Sequence, residues 1–208
     1  MTNFKMSVGA RTCFWAPKGR CILSLDFSSQ ELLLAAVMSE DPVMLDVFRQ
    51  PEKIIHTNGN EVSNPDADMH TQTAKAVFPN AFIENGKVLP KEDWVEVAKD
   101  PKRIGKTKSA RDYAKIINFG IIYFITAASL SQQTYVKEEE TKNWIKQHKA
   151  FYPQFHRWAQ EIKEQTEARG WARLDYSGRQ RFCDELNSKG EKESPGIMGA
   201  NFAIDGWL

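Results

Sequence analysis

The chain has 208 residues, with 28 Lys and Arg against 27 Asp and Glu and a formal net charge of +1. That length can bury a real core in one or two domains, and near neutrality means that any basic groove is offset by acid elsewhere, so composition alone does not point to nucleic acid. The N-terminal MTNFKMSVGA lacks the apolar core of a signal peptide and every long apolar run is interrupted, so we expect a soluble, cytoplasmic protein with no membrane partner.

In chain order, CILSLDF at 21–27 is a short apolar run ending in an acid, consistent with a buried strand that carries a carboxylate at its C-terminal end. SSQELLLAAVM follows with Ser caps and strong helix formers, giving a strand, turn, helix unit. Residues 50–67, rich in Asn, Pro, Asp and Gly, read as a connection, after which Asp68 and Thr71 compete to cap a helix running through Phe78. Residues 80–107 look irregular apart from a short helix around KEDWVEVAK, and one long helix is expected from about residue 110 to Gln133.

Two amphipathic helices come next, EEETKNWIKQHKAFY and PQFHRWAQEIKEQTEAR, the second with Pro153 in its first turn and Gly170 as its stop. GWARLDYSGRQRFCDEL, with its central Ser-Gly turn, reads as a hairpin. The class is therefore α+β and helix-rich. Cys13, Cys21 and Cys183 are odd in number and lack CxxC spacing, and His56, His70, His148 and His156 form no spaced ligand pattern. Neither a disulfide framework nor a zinc site is expected.

Two places carry candidate chemistry. Asp26 at a strand end is a common mount for a divalent cation, although the same residue serves equally as a helix cap, and Glu31 reads as an ordinary acidic first-turn residue. In RDYAKIINFGIIYF, residues 111–124, Arg111, Lys115, Phe119 and Tyr123 recur every four positions. On a helix they form one slowly rotating face about 18 Å long, with cations suited to a polyanion at one end and aromatics suited to a base at the other. The same spacing also describes an ordinary amphipathic helix.

Together these stretches resemble family A DNA polymerases, the class of bacterial DNA polymerase I and many phage replicases. DFSSQEL is similar to the family's motif A through Asp26, Phe27, Ser28, Glu31 and Leu32, and Arg111, Lys115, Asn118, Phe119, Gly120 and Tyr123 fit motif B. RTCFWAP resembles the lead-in to the palm strand, DMHTQTAKAVF the Asp-Ile-His stretch, and GRQRF the Gly-Arg-Arg-Arg turn near the template. The blocks fall in the family's order over nearly the whole chain.

The resemblance implies a partial polymerase right hand, with part of an antiparallel palm sheet at 1–67, helical fingers at 68–169, and a hairpin returning to the palm at 170–208. It implies that Asp26, with the Phe27 carbonyl, binds the catalytic magnesium ions and that Arg111 and Lys115 hold the dNTP triphosphate, Lys115 also serving catalysis. Phe119 would pack on the incoming nucleotide and Tyr123 would sit at the templating position. Glu31 would be a steric gate against ribose, which argues against the runner-up, a single-subunit RNA polymerase. Arg179, Arg181 and Asn201 would touch primer-template DNA.

The chain departs from the family pattern at Leu33 and Asp112, which stand where the family has Arg, at Phe124 for Gly, and at Asp205 for Gln. No His-Asp-Glu motif C occurs in the 208 residues. The expectation is one subunit of a DNA-directed DNA polymerase completed by a second polypeptide carrying motif C; the alternative is a non-catalytic fragment or remnant that keeps nucleotide or DNA binding.

Overall fold

A computed structural model describes residues 15–23, 27, 29–174, 177–183 and 195–205. The first elements are helices α1 (Gln30–Ser39) and α2 (Pro42–Arg49), followed by a hairpin of β1 (Lys53–Ile55) and β2 (Glu61–Ser63). Helix α3 (Met69–Val77), a second hairpin of β3 (Ile83–Glu84) and β4 (Lys87–Val88), and the short α4 (Trp94–Lys99) come next. The helical body continues with α5 (Ala110–Ile122), α6 (Ala127–Thr134), α7 (Glu138–Phe151) and α8 (Pro153–Arg169). A third hairpin, β5 (Trp171–Arg173) with β6 (Gln180–Phe182), and helix α9 (Pro195–Asp205) complete the described residues. All three hairpins are antiparallel, the last in the register Trp171 to Phe182 and Arg173 to Gln180.

The core lies between α3, α5 and α7, where Phe78, Tyr113 and Trp144 form a ring cluster with centroids 5.2 to 6.1 Å apart. Offset and edge-on contacts at these distances add to the stabilisation from burial. Ala74, Ala110 and Ala114 are fully buried on α3 and α5, and these small side chains let the two helices approach. On the other side α9 lies against α8. A Cβ at Gly199 would overlap the Thr166 side chain, so glycine sets that approach.

One carboxylate starts two helices. Asp41, which is fully buried, accepts from the N–H groups of Val43 and Met44 at the start of α2 (3.0 and 3.2 Å). Its second oxygen accepts from the N–H groups of Gln154 and Phe155 at the start of α8 (3.1 and 3.0 Å). Orphan amides at both N-termini are thus satisfied by one anion placed where both helix dipoles favour it.

Most expected elements are found, and four differ. Residues 21–23 and 27 are irregular, and Ile22, Leu23 and Phe27 are exposed, while the rest of the expected strand at 21–27, Asp26 included, lies outside the described residues. A strand needs a ladder partner for its amides and carbonyls, and no described segment pairs with this one. The connection at 50–67 contains the β1–β2 hairpin. The long helix from residue 110 is interrupted, because Phe124 adopts φ 57° and the chain re-enters helix only after Thr126 caps α6. Helices α2 and α9 were not anticipated; for α2, Asp41 followed by Pro42 was a cap signal that could have marked it.

Candidate nucleotide site

Helix α5 presents the predicted face. Ser109 caps it by accepting from the Asp112 amide. Arg111 is half-buried, Lys115 is exposed, and Phe119 is half-buried against the core. Tyr123, the C-terminal cap residue, is 37% exposed. The backbone turns sharply here, as the Ile125 amide donates to the Gly120 carbonyl at 2.8 Å. A Cβ at Gly120 would stand 2.8 Å from Ile125 Cγ2, so the glycine lets the chain fold back beneath the helix end.

The N-terminal half of this face meets the start of α3. Asp68 caps α3 by accepting from the His70 amide (3.1 Å) and from the Thr71 hydroxyl (2.7 Å). The two cap candidates in the sequence therefore cooperate. Arg111 grips the same carboxylate with two bonds, Nε to Oδ2 at 2.7 Å and Nη2 to Oδ1 at 3.2 Å. Burial pushes the Asp68 carboxyl up, but the hydrogen bonds from Arg111 and Thr71 outweigh it, and the group is held below its ordinary range.

His70 completes the cluster. Its ring lies 5.7 Å from Phe119 and feels the charges of Asp68, Arg111 and Lys115. Burial, reinforced by the two cations and opposed by Asp68, lowers its pKa to about 4, so it is neutral at pH 7. A cavity of about 400 Å³ opens here, lined by Ser29, Glu52, Asn64, Asp68, His70 and Arg111 among others. Of the residues predicted to hold nucleotide, Arg111 alone is among its lining. Lys115 makes no ion pair among the described residues and is available to an outside anion.

Sequence reasoning set His70 aside because histidines were judged by metal spacing. The signal that could have found it was its place in the Asp-Met-His stretch two residues after the helix cap. Its partner Asn118 was read only as a motif letter. In the fold Asn118 is buried and donates to His70 Nδ1 at 3.1 Å.

The remaining predicted residues are scattered. Glu31 is half-buried in the first turn of α1, and α1 contacts α5. Phe27 is 78% exposed. Arg179 lies just before β6 with its guanidinium 5.9 Å from the Phe202 ring, and Arg181 is exposed on β6. Asn201 sits on α9 with its side-chain oxygen buried and without a hydrogen-bond partner among the described residues. No group of three His, Cys, Asp or Glu among the described residues could hold a metal ion. Because Asp26 lies outside them, no metal geometry is defined. No helix of the described residues is long and apolar enough to cross a membrane.

The fold is that of part of a polymerase domain. It resembles the polymerase domain of Pol1 from M. smegmatis, a structure in complex with DNA primer-template and dNTP, with a TM-score of 0.58 and 21% identity. The likeness covers 87% of this chain and 26% of that one. The chain belongs to DNA polymerase family A, whose family model matches residues 2–87 and 94–206.

Among curated relatives, the thermostable DNA polymerase I of Thermus thermophilus is 28% identical over 94% of this chain. DNA polymerase I of Pseudomonas aeruginosa is 30% identical over 86%. A DNA polymerase of Mycobacterium phage D29 is 26% identical over 77%. The chain spans only 16 to 20% of the length of these three relatives.

Proposed function

We propose that this chain supplies the dNTP-binding helix and one metal-binding carboxylate of a DNA-directed DNA polymerase. The observation that carries the reading is the convergence of Arg111, Lys115 and His70 where α5 meets the start of α3, with Phe119 next along the face. Cations and a neutral ring donor suit a triphosphate, and the aromatic end suits a base. An incoming anion would compete with Asp68 for Arg111. The Arg111–Asp68 pair thus keeps the guanidinium ordered while the site is empty.

In this reading residues 1–67 form a palm portion, 68–169 the fingers and 170–208 the return to the palm. Asp26 and the Phe27 carbonyl are assigned to magnesium, and two-metal transfer needs carboxylates on both sides of an ion pair about 3.5 to 4 Å apart. We assign the other metal-binding carboxylate, on a His-Asp-Glu element, to a second polypeptide. Arg179, Arg181 and Asn201 are assigned to primer-template DNA.

The test is nucleotide titration followed by primer extension. Lys115→Ala should weaken dNTP binding by about 2 kcal/mol, the range of a charge-assisted hydrogen bond. Unchanged affinity in both Lys115→Ala and Arg111→Ala would return α5 to a purely structural role. Mixed with a chain carrying the His-Asp-Glu segment, the protein should extend a primer with magnesium. Asp26→Asn should abolish that extension, and Glu31→Ala should narrow the preference for dNTP over rNTP.

A further inference from the structure

A second cavity, of about 440 Å³, opens between the end of α3, the turn Pro101–Ile104 and α7. It lies at the far end of α3 from His70, about 12 Å along the helix axis at 1.5 Å per residue. The two cavities share no lining residue. Its floor is Phe78 and Trp144, both buried. Glu140, Trp144 and Gln147 stand at i, i+4 and i+7 of α7 and so line it from one helix face. The volume is at the small end of ligand pockets, which run from roughly 300 to 1,000 Å³.

Two polar groups on this cavity are left uncommitted by the fold. The side-chain oxygen of Gln147 is buried and has no hydrogen-bond partner among the described residues. Buried polar atoms are nearly always paired, so one that faces a cavity points to a partner from outside. Half-buried Arg103 meets Glu84 only at 3.6 Å, beyond hydrogen-bond reach, which leaves its fork of N–H donors open. Lys106 differs, because its ammonium is held by Glu140 at 2.7 Å and lies 5.8 Å from the Trp144 ring.

We propose that this cavity is an accessory site for a nucleoside monophosphate, with the phosphate on Arg103 and the edge of the base on the Gln147 amide. A planar guanidinium fork suits phosphate oxygens. A base edge carries a donor and an acceptor side by side, so it pairs with the Gln147 amide in either orientation of that amide. Glu140, paired with Lys106 at one end of the cavity, and Gln147 at the other are seven residues apart on α7, about 10 Å. That separation gives the ligand a charged end and a base end. Arg103 and Lys106 against Glu140 leave the lining with one net positive charge. The lining is therefore matched to one phosphate, and a triphosphate is disfavoured. The site uses none of the α5 face and stands whether or not that helix binds dNTP.

Calorimetric titration of the free chain at low salt tests it with adenosine monophosphate (AMP), adenosine, inorganic phosphate and adenosine triphosphate as probes. AMP should bind at one site, and each of the other three should bind about tenfold more weakly or worse, the factor expected for a lost charge-assisted hydrogen bond or an unmatched charge. Arg103→Ala should reduce AMP to the level of adenosine. Gln147→Met should weaken AMP about tenfold while leaving the urea midpoint at or above the native one, which separates a lost contact from a lost fold. Lys115→Ala should leave AMP binding as it is. No AMP binding by the native chain, or native AMP affinity in both Arg103→Ala and Gln147→Met, would overturn the site. AMP affinity that falls with Lys115→Ala instead would place the ligand on α5 and overturn it too. Phosphate alone binding as tightly as AMP would overturn the nucleotide class. If Gln147→Met does not fold, Arg103→Ala and the comparison of AMP with adenosine give the decision.

Discussion

The layer formed by α3, α5 and α7 and the segment that runs from Trp15 into α1 differ in how they satisfy themselves. In the first, Tyr113, Ile117, Asn118, Trp144 and Tyr152 are buried, and the polar groups of Tyr113, Asn118 and Tyr152 are hydrogen-bonded. In the second, Trp15, Ile22, Leu23 and Phe27 are between 62 and 78% exposed, and Leu33 and Val37 on α1 are 40 and 52% exposed. Isolated exposed apolar residues are ordinary, but six along one stretch of chain are not. One region buries its large side chains, and the other exposes apolar residues that the proposed second polypeptide would cover.

The largest expected effect breaks the finished region at its anchor. Asp41→Ala would leave four amides at two helix starts, two of them buried and two half-buried, without their acceptor. At ~1–2 kcal/mol for each cap plus the cost of unsatisfied donors, the loss should be about 4 kcal/mol in urea unfolding. A loss below about 1 kcal/mol would show that α2 and α8 do not share that carboxylate.

The next effect comes from pH. His70 is neutral in the fold with a pKa of about 4, against about 6.5 unfolded, so its contribution is complete above pH 6.5 and is lost as pH falls towards 4. That single group should remove on the order of 3 kcal/mol by pH 4, with His148 and His156 acting in the same direction. Asp68, held below its ordinary range, loses its contribution only at lower pH. Urea midpoints measured from pH 7 to 4 should fall throughout, and His148→Gln should flatten part of the slope. A flat profile would mean that the three rings are solvated.

A smaller effect is expected where the two helical stretches separate. Phe124 sits at φ 57°, in the region that favours glycine, and it belongs to no buried core cluster. Replacing it with Gly removes strain of about 1 kcal/mol or more but adds flexibility to the unfolded chain. The net should be a stabilisation of about 0.5 kcal/mol. Destabilisation would mean that the phenyl ring is held by contacts stronger than its strain.

Legibility in the sequence followed the same division. The helices at 30–39, 69–77, 138–151 and 153–169 were readable from runs of helix formers and apolar period, with the Asp68 cap marking the second and Pro153 the last; Ser29, expected as a cap, makes no side-chain cap bond. The α5 face was readable because a helix turns sequence spacing directly into a surface. The buried polar cluster was not, since His70, Asn118, His148 and His156 are joined only by tertiary packing of four helices. The break at Phe124 was signalled only by the family's Gly at that position, because an aromatic residue itself gives no warning of a left-handed backbone. The expected strand at 21–27 rested on apolar run length, and only its ends, residues 21–23 and 27, are among the described residues.

The smallest effect on stability carries the most about the second region. Leu33 and Val37 lie four apart on α1 and are 40 and 52% exposed, while Leu32, Ala35 and Ala36 on its opposite side are buried. Leu33→Lys and Val37→Glu therefore place charges where solvent already reaches, and each should change the stability of the isolated chain by less than about 0.5 kcal/mol. If that surface is covered in the assembled polymerase, the same charges would be desolvated without partners on assembly, which is strongly unfavourable. The double variant should fold normally, show the native urea midpoint, and fail to co-purify with a chain carrying the His-Asp-Glu segment. An interface of obligate type buries roughly 2,000 Å² or more, enough to include Trp15, Ile22 and Leu23 beside α1. Native assembly by the double variant would show that the apolar surface serves something other than completion of the polymerase, and the contrast between the two regions would then have another cause.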